Sequence, residues 1–509
     1  MGLARTWSVS LIGLDGHVVE VEADLAQGLP GLTVTGLPDA ALAEARDRVR
    51  AAVVNSGHTW PQKRITLGLS PAWLPKRGSG FDLALAAAIL AADGVVPASA
   101  LIGRVLIGEL GLDGRVRAVR GVLPAVLTAA RAGFSRVVVP ADNLAEARLL
   151  PDMHADGVAS LGGLVALLRG QPADHCLPII DLPDHAPPLA PDMLDVAGQV
   201  RGRTAMEVAA AGGHHALLVG PPGSGKSMVA ERMPGLLPPL ELDAALEVTA
   251  VHSVAGTLPA GQPLVRTPPY QDPHHTSTVA SIVGGGSGVA RPGAASLAHH
   301  GVLFLDEAPE FATGVLDALR QPLESGRLSI TRVGGTAVYP ARFTLLLAAN
   351  PCPCAKLARD CSCRPESRRR YLARLSGPLL DRIDLHVEVP PITRSEMMAE
   401  GGRGEPSADI AARVLHARQR AAERLKGTPW RTNGQVPPVE LRRRWPLPRS
   451  AMRDAEKALD SGQLTARGFG RVLRLAWTLS DLADGGCPGR EHVGHALGFR
   501  SLSQPGLVA

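Results

Sequence analysis

The chain has 509 residues, with 53 Lys and Arg against 48 Asp and Glu, a formal net charge of +5, 45% hydrophobic and 20% charged residues. That balance excludes a disordered chain and fits about two to four domains, each able to bury its own core. The mild positive charge permits a nucleic-acid partner without arguing for one, and 3% aromatic residues leave charge and backbone amides as the main means of contact.

Residues 1–170 alternate short apolar strands with alanine-rich helices, the pattern of an α/β domain. Residues 40–54 read as a helix, Ile65-Thr66-Leu67-Gly68-Leu69 as a strand, and Val137-Val138-Val139 as a short buried strand. The longest apolar tract, residues 83–96, is broken by Asp93 and Gly94; it is too short to span a bilayer and reads as a buried helix. With no charged-then-apolar leader before the strand-like residues 18–21, a cytoplasmic protein without a membrane partner is expected. Its six cysteines should then be reduced thiols or metal ligands. Residues 171–194, rich in proline and aspartate, read as a linker. Residues 195–390 should form a nucleotide-binding α/β unit, and residues 391–509 a mostly helical domain.

The strongest motif is Gly220-Pro221-Pro222-Gly223-Ser224-Gly225-Lys226-Ser227, between an apolar strand (Ala216-Leu217-Leu218-Val219) and a helix start at Met228. This is the context of a P-loop. Its glycines let backbone N–H groups converge on phosphate oxygens at a helix N-terminus. Lys226 is expected on the β- and γ-phosphates, and the Ser227 hydroxyl on Mg²⁺. A second apolar strand, Val302-Leu303-Phe304-Leu305, ends in Asp306 and Glu307. Asp306 should complete the Mg²⁺ shell and Glu307 should polarise the attacking water. A third strand ends at Asn350, whose amide can sense the γ-phosphate. Leu379-Leu380-Asp381-Arg382-Ile383-Asp384 sets an arginine between carboxylates, which alone reads as an internal salt bridge. In a ring of ATPases Arg382 becomes a finger for the neighbouring site, worth about 10³–10⁵ in rate.

Cys352, Cys354, Cys361 and Cys363 form a C-x-C…C-x-C array suited to a structural, tetrahedral Zn²⁺. Adjacent His274 and His275 should point apart and make only polar loop contacts.

Together with Leu464-Thr465-Ala466-Arg467, these motifs resemble the AAA+ ATPases, in the branch of magnesium chelatase subunits and MCM helicases. Pro273-His274-His275-Thr276, Val283-Gly284-Gly285-Gly286, Ser296-Leu297-Ala298-His299, Asn350-Pro351-Cys352-Pro353-Cys354 and Leu375-Ser376-Gly377-Pro378 resemble the ComM/YifB family more narrowly. The resemblance implies ATP and Mg²⁺ as cofactors, a homo-hexamer, branch migration of DNA as the activity, and single-stranded or branched DNA as the partner. It implies a γ-phosphate contact for Arg467, with Arg471 as the fallback, and an adenine cover from Val196 to Gln199. Gly284-Gly285-Gly286 could form a flexible pore-facing loop. Family members often carry glycine after the first cysteine pair, where this chain has Ala355.

Residues 75–82 and 129–143 resemble Lon-type proteases, but the nucleophile position falls on Gly80 and its lysine partner on Leu123, with Ser79 one residue out of register. Without an activating base a hydroxyl is a weak nucleophile, so a Lon-like scaffold without peptidase activity is expected. Lys63, Arg64, Lys76 and Arg77 could bind DNA or partners, or form a solvated face. Arg368-Arg369-Arg370 and Arg442-Arg443-Arg444 favour DNA slightly. The alternative is an ATP-driven protein remodeller of the chelatase or Lon kind.

Overall fold

The computed structural model describes residues 2–36, 40–76, 78–171, 191–259, 262–286, 290–332, 335–356, 361–398, 404–483 and 485–500. Most of the expected linker (172–190), Cys176, Arg77 and residues 401–403 lie outside them.

The N-terminal domain is built on a sheet that uses β1 (Gly2–Ile12), β2 (Asp15–Ala26), β3 (Gly31–Thr35), β4 (Arg64–Ser70) and β5 (Arg104–Leu106). After a small hairpin of β6 (Glu109–Leu110) and β7 (Val116–Arg117), β8 (Arg136–Pro140) and β9 (His154–Val158) complete it. The order is β3-β4-β2-β1-β5-β8-β9. Along β2 every second residue, Val19, Val21, Ala23 and Leu25, is buried, as a two-residue period with one covered face requires. The expected apolar helix is Asp82–Ala92; its alanines let the sheet approach closely, and a Cβ on Gly2 would meet the Ala92 carbonyl at 1.9 Å.

The second sheet contains β10 (Ala216–Val219), β11 (Tyr270–Gln271), β12 (Val302–Leu305), β15 (Thr344–Ala349) and β16 (Leu385–Glu388), ordered β11-β12-β15-β10-β16 and parallel throughout. Its strands are near-continuous apolar runs because both faces are covered. Ala216, Leu218, Phe304, Leu346 and Ala348 enter one core, while Leu217, Leu303, Leu305, Leu345 and Leu347 enter the other. Cutting Leu346 to Ala would cost about 2–5 kcal/mol.

Between β12 and β15 lies an antiparallel hairpin of β13 (Arg327–Arg332) and β14 (Gly335–Pro340). It docks on the N-terminal domain through Leu14, which with Val254 of the helix Leu242–Ala255 packs against Ile330, Ala337 and Tyr339. A polar contact reinforces this junction, because Ser253 on the helix Leu242–Ala255 donates to Glu146 and accepts from the Gly121 N–H at 3.0 Å. The C-terminal region is helical, as expected. Its long helix Ala466–Leu482 starts at Thr465, whose hydroxyl accepts from the Gly468 N–H at 3.0 Å, and packs on Ser407–Arg424 and Val200–Gly212. No helix among the described residues is long and apolar enough to cross a membrane.

Candidate nucleotide and metal sites

β10 runs directly into the glycine loop, and Gly223 and Gly225 take φ of 72° and 85°, a backbone that side chains disfavour. Gly220 is required for a different reason: a Cβ there would lie 2.2 Å from the Val389 carbonyl oxygen. The loop ends at the helix Lys226–Glu231. The Lys226 ammonium donates to the Gly220 and Pro221 carbonyls (2.8 and 3.0 Å) and to Asn350 Oδ1 (3.2 Å). Burial pushes its pKa down, with Asp306 and Glu307 opposing. Ser227 Oγ donates to Asp306 Oδ2 at 2.5 Å. This hydroxyl and carboxylate converge as hard oxygen donors for Mg²⁺, beside a lysine suited to phosphate. Lys226, Ser227, Asp306 and Asn350 therefore meet at one edge of the sheet, at the strand ends where nucleotides bind in such folds. Ser224, within the loop, is buried, and Met228 is exposed on the helix that follows.

Gln199 lies against this loop, its Cγ 3.8 Å from where a Gly225 Cβ would stand, and its Nε2 donates to the Pro390 carbonyl at 2.6 Å. Val196 does not act as expected: it is 1% exposed in the apolar core with Met193 and Leu236, and offers no surface to a base.

Glu307 follows β12 with a φ of 49°, and its carboxylate meets His275 Nδ1 at 3.3 Å. The expectation that the histidines diverge fails: the rings of His274 and His275 lie 4.1 Å apart at 32°. Coil backbone need not alternate side chains as a strand does. Nor are the following glycines a free loop. Gly284 is buried, and Gly285 pairs with Arg291 through backbone hydrogen bonds of 2.8 and 3.1 Å.

Arg382 lies at the opposite edge. It precedes β16, whose Leu385 pairs with Ala216 at the start of β10, whereas the P-loop follows Val219 at its end. Four residues of strand put about 13 Å between the two edges. The guanidinium pairs with Glu324 and donates to the Pro378 carbonyl. Arg467 stands beside it, paired with Asp381. Arg467, like Arg382, therefore stands at the edge opposite its own P-loop. Arg471 Nη1 donates to buried Asp384 and, at 3.2 Å, to the Arg382 carbonyl. Burial pushes the Asp384 pKa up, but Arg471, His214 and Arg474 outweigh it and hold the carboxyl well below its usual range. His214 Nδ1 lies 2.8 Å from Asp384, and its Nε2 2.7 Å from Thr478, tying the base of β10 to the long helix Ala466–Leu482, the lid helix of the C-terminal region. Sequence reasoning missed this network, since lone polar residues in apolar stretches give no signal of whom they meet.

The four cysteines cluster as their spacing suggests. Cys352 Sγ is 3.0 Å from Cys354 and 3.4 Å from Cys361, with Cys363 in the same group. Thiolates at 2.3 Å from a tetrahedral Zn²⁺ would stand about 3.8 Å apart, so a small outward adjustment accommodates the ion. Burial and neighbouring thiols push Cys352 up to about 12, while the Cys363 N–H leads the contacts that bring Cys361 down to about 6. Arg368 Nη2 donates to the Cys361 sulfur at 3.2 Å, removing one cation from the expected basic patch. Ala355 has a φ of 52°, which explains why glycine suits that position.

A second group, Glu247, His299 and His300, was not anticipated. His299 Nδ1 accepts from the Arg342 N–H at 3.1 Å, so its Nε2 carries the proton and donates to Glu247 at 2.9 Å. That tautomer leaves no lone pair for a metal. The group clamps the helix Leu242–Ala255 to the chain entering β12.

In the N-terminal domain Leu123 is fully buried, and Ser79 Oγ donates to Glu109 rather than facing an amine. Lys76 is not a surface cation: it is 0% exposed and donates to the Pro71 carbonyl. Lys63 pairs with Asp93 at 3.2 Å, and Arg64 is exposed. In the C-terminal cluster Arg443 and Arg444 both bind Glu440.

Family models for magnesium chelatase match three segments: subunit ChlI over residues 192–397, subunit ChlI of Mg-chelatase over 21–143, and the ChlI C-terminal part over 404–500. An uncharacterized protein of Mycobacterium tuberculosis (strain ATCC 25618 / H37Rv) is 53% identical over 501 residues, 98% of this chain and 99% of the relative. YifB of Escherichia coli (strain K12) is 38% identical over 505 residues, and competence protein ComM of Haemophilus influenzae (strain ATCC 51907 / DSM 11121 / KW20 / Rd) 38% over 510; each match covers 99% of this chain and 98% of the relative. A shorter likeness, 30% over 159 residues, links 30% of this chain to 20% of the Lon protease of Mycolicibacterium smegmatis. The glycine loop, the parallel sheet and this full-length similarity agree: the chain belongs to the ComM/YifB family of magnesium chelatase-like AAA+ proteins.

Proposed function

We propose that the protein is a Mg²⁺-dependent ATPase that works as a cytoplasmic homo-hexamer and moves DNA, in the manner of a branch-migration helicase. The observation that carries this reading is the split of the ATPase sheet into a phosphate edge and an arginine edge. Lys226 and Asn350 would hold the γ-phosphate, Ser227 and Asp306 the Mg²⁺, and Glu307 would orient the attacking water. Bound Mg²⁺ supplies charge neutralisation at the phosphates. Arg382 and Arg467 face away from that site and would serve the next subunit's nucleotide, so the complete site requires a ring. A competence protein among the near-full-length relatives supports DNA as the partner.

ATPase rates with single-stranded, duplex and four-way-junction DNA, and with unfolded protein as competitor, test the reading. Stimulation by DNA that falls steeply with salt is expected. Stimulation by unfolded polypeptide alone would assign the protein to the remodelling class, which the short Lon likeness favours. The cysteine cluster would hold one structural Zn²⁺, stiffening the span between Asn350 and Arg382. Metal analysis should find one zinc per chain, lost in Cys352→Ser.

A further inference from the structure

The turn between β1 and β2 serves two neighbours. Leu14 packs on the hairpin β13–β14, whereas Asp15, Gly16 and His17 line a hollow of about 450 Å³ in the N-terminal domain. That volume is within the range of sites that hold a small ligand. Gly16 makes this wall possible, because a Cβ there would lie 2.1 Å from Thr128 Oγ1 on the helix Val122–Arg131. The facing wall is the turn after β4. The Leu74 N–H donates to the Pro71 carbonyl at 3.3 Å, and the Lys76 ammonium donates to the same oxygen. With Leu74 fully buried, its neighbour Trp73 is turned outward on a pinned backbone and is 71% exposed.

Trp73 meets the His17 ring at 6.3 Å and 76°, which makes a corner and leaves the indole without a stacked ring among the described residues. The side chains of Asp15, His17 and Arg131 line the hollow with no hydrogen bond or ion pair among the described residues. A carboxylate and a guanidinium together give no net charge to draw in a bare phosphate. They suit a ligand with an amine at one end, a phosphate at the other and a flat ring for the indole between them. A nucleotide has these three parts, and aromatic stacking accepts any base. Bases within a duplex already stack on one another, so the ligand comes from a single strand. The hairpin adds a cation beside the same turn. Arg332 pairs with Gly335, whose Cβ would stand 3.6 Å from Ile12 Cγ2, and it is exposed with no carboxylate partner among the described residues. A continuing sugar-phosphate chain complements that second cation; a free nucleotide does not reach it.

We propose that this hollow is a subsite for single-stranded DNA, in which one base stacks on Trp73 beside His17, Asp15 accepts from its exocyclic amine and Arg131 holds its phosphate. This assignment rests on the DNA reading above and adds to it a base contact far from the P-loop in sequence and in a different domain.

The test uses full-length wild type, Trp73→Ala and Trp73→Phe with a non-hydrolysable ATP analogue, and measures anisotropy with two labelled oligonucleotides of equal length, one intact and one abasic. Wild type should bind the intact strand about 5–100-fold more tightly than the abasic one. Trp73→Ala should lose that factor on the intact strand and bind both strands alike, while Trp73→Phe keeps a stacking face and most of the preference. ATPase activity without DNA should be unchanged in both variants, which shows that they are folded. Trp73→Ala that binds the intact strand as wild type does, or that still distinguishes it from the abasic one, overturns the subsite and leaves the DNA reading standing. Wild type that binds neither strand overturns both. Loss of binding to unfolded polypeptide in Trp73→Ala, with DNA affinity intact, would give the hollow to a peptide and also overturn the assignment.

Discussion

The two edges of the parallel sheet are built from the same strands but by different means. At the carboxyl edge, β10, β12 and β15 each stop at a polar residue or loop, and backbone groups do much of the work. At the amino edge, side chains from distant parts of the chain interlock: Asp384 before β16, His214 before β10, and Arg471, Arg474 and Thr478 on the lid helix. The first edge presents groups to a ligand. The second satisfies its charges internally and leaves Arg382 and Arg467 in pairs that an incoming phosphate could displace. On the proposed function, a single chain carries two halves of a site that would meet only between neighbouring copies.

The difference can be broken from either side. Lys226→Ala removes the cation of the phosphate edge, so nucleotide binding and all turnover should vanish; fluorescent ATP analogue titration that still saturates tightly would remove Lys226 from the site. Arg382→Ala should keep ATP binding but lose about 10³–10⁵ in rate. Mixing the two variants should recover part of the activity, because hybrid interfaces restore one good site. No recovery at any ratio would place Arg382 in a purely internal role with Glu324. Glu307→Gln should bind ATP and trap assembled rings with about 10²–10⁴ less turnover; normal hydrolysis would exclude Glu307 as the base.

The carboxyl edge was legible in sequence because its chemistry is contiguous. Gly220 to Ser227, Asp306-Glu307 and Asn350 each follow an apolar run, and parallel pairing does the rest. The amino edge was legible only in part. Arg382 could be named from its motif, but the direction of Arg467 depends on where the lid helix packs, and the helix's own periodicity cannot state that. Val196 failed for a related reason: position near a loop says nothing about which face of the chain is covered. The histidine pair was misread because a two-residue alternation was carried into coil. In the N-terminal domain, Lys76 looked like a surface charge, yet it is folded under the chain onto Pro71.

The smallest expected effect sharpens the contrast between the edges through pH. His215 precedes β10 and accepts the Leu345 N–H at 3.0 Å; burial pushes its pKa down to about 4. His386 in β16 is buried with neither ring nitrogen partnered, and burial, then Arg500 and Arg471, push it down to about 3. Both are neutral in the fold, while in the unfolded chain they take up protons below about pH 6.5. Their stabilising contribution is complete above that pH and declines as pH falls towards about 4, at roughly 1.4 kcal/mol per unit for each residue. Asp384 does not mask this, because its depressed pKa confines its loss to pH below the ordinary carboxylate range. Glu146, raised by burial at the domain junction, acts in the opposite sense, favouring the fold as it protonates. Urea midpoints from pH 7.5 to 4.5 should therefore be compared between wild type and His386→Leu, in which the Glu146 term cancels. The variant should lose about 1–3 kcal/mol less over that range. Parallel curves would show that acid does not act through the buried histidine of the arginine edge.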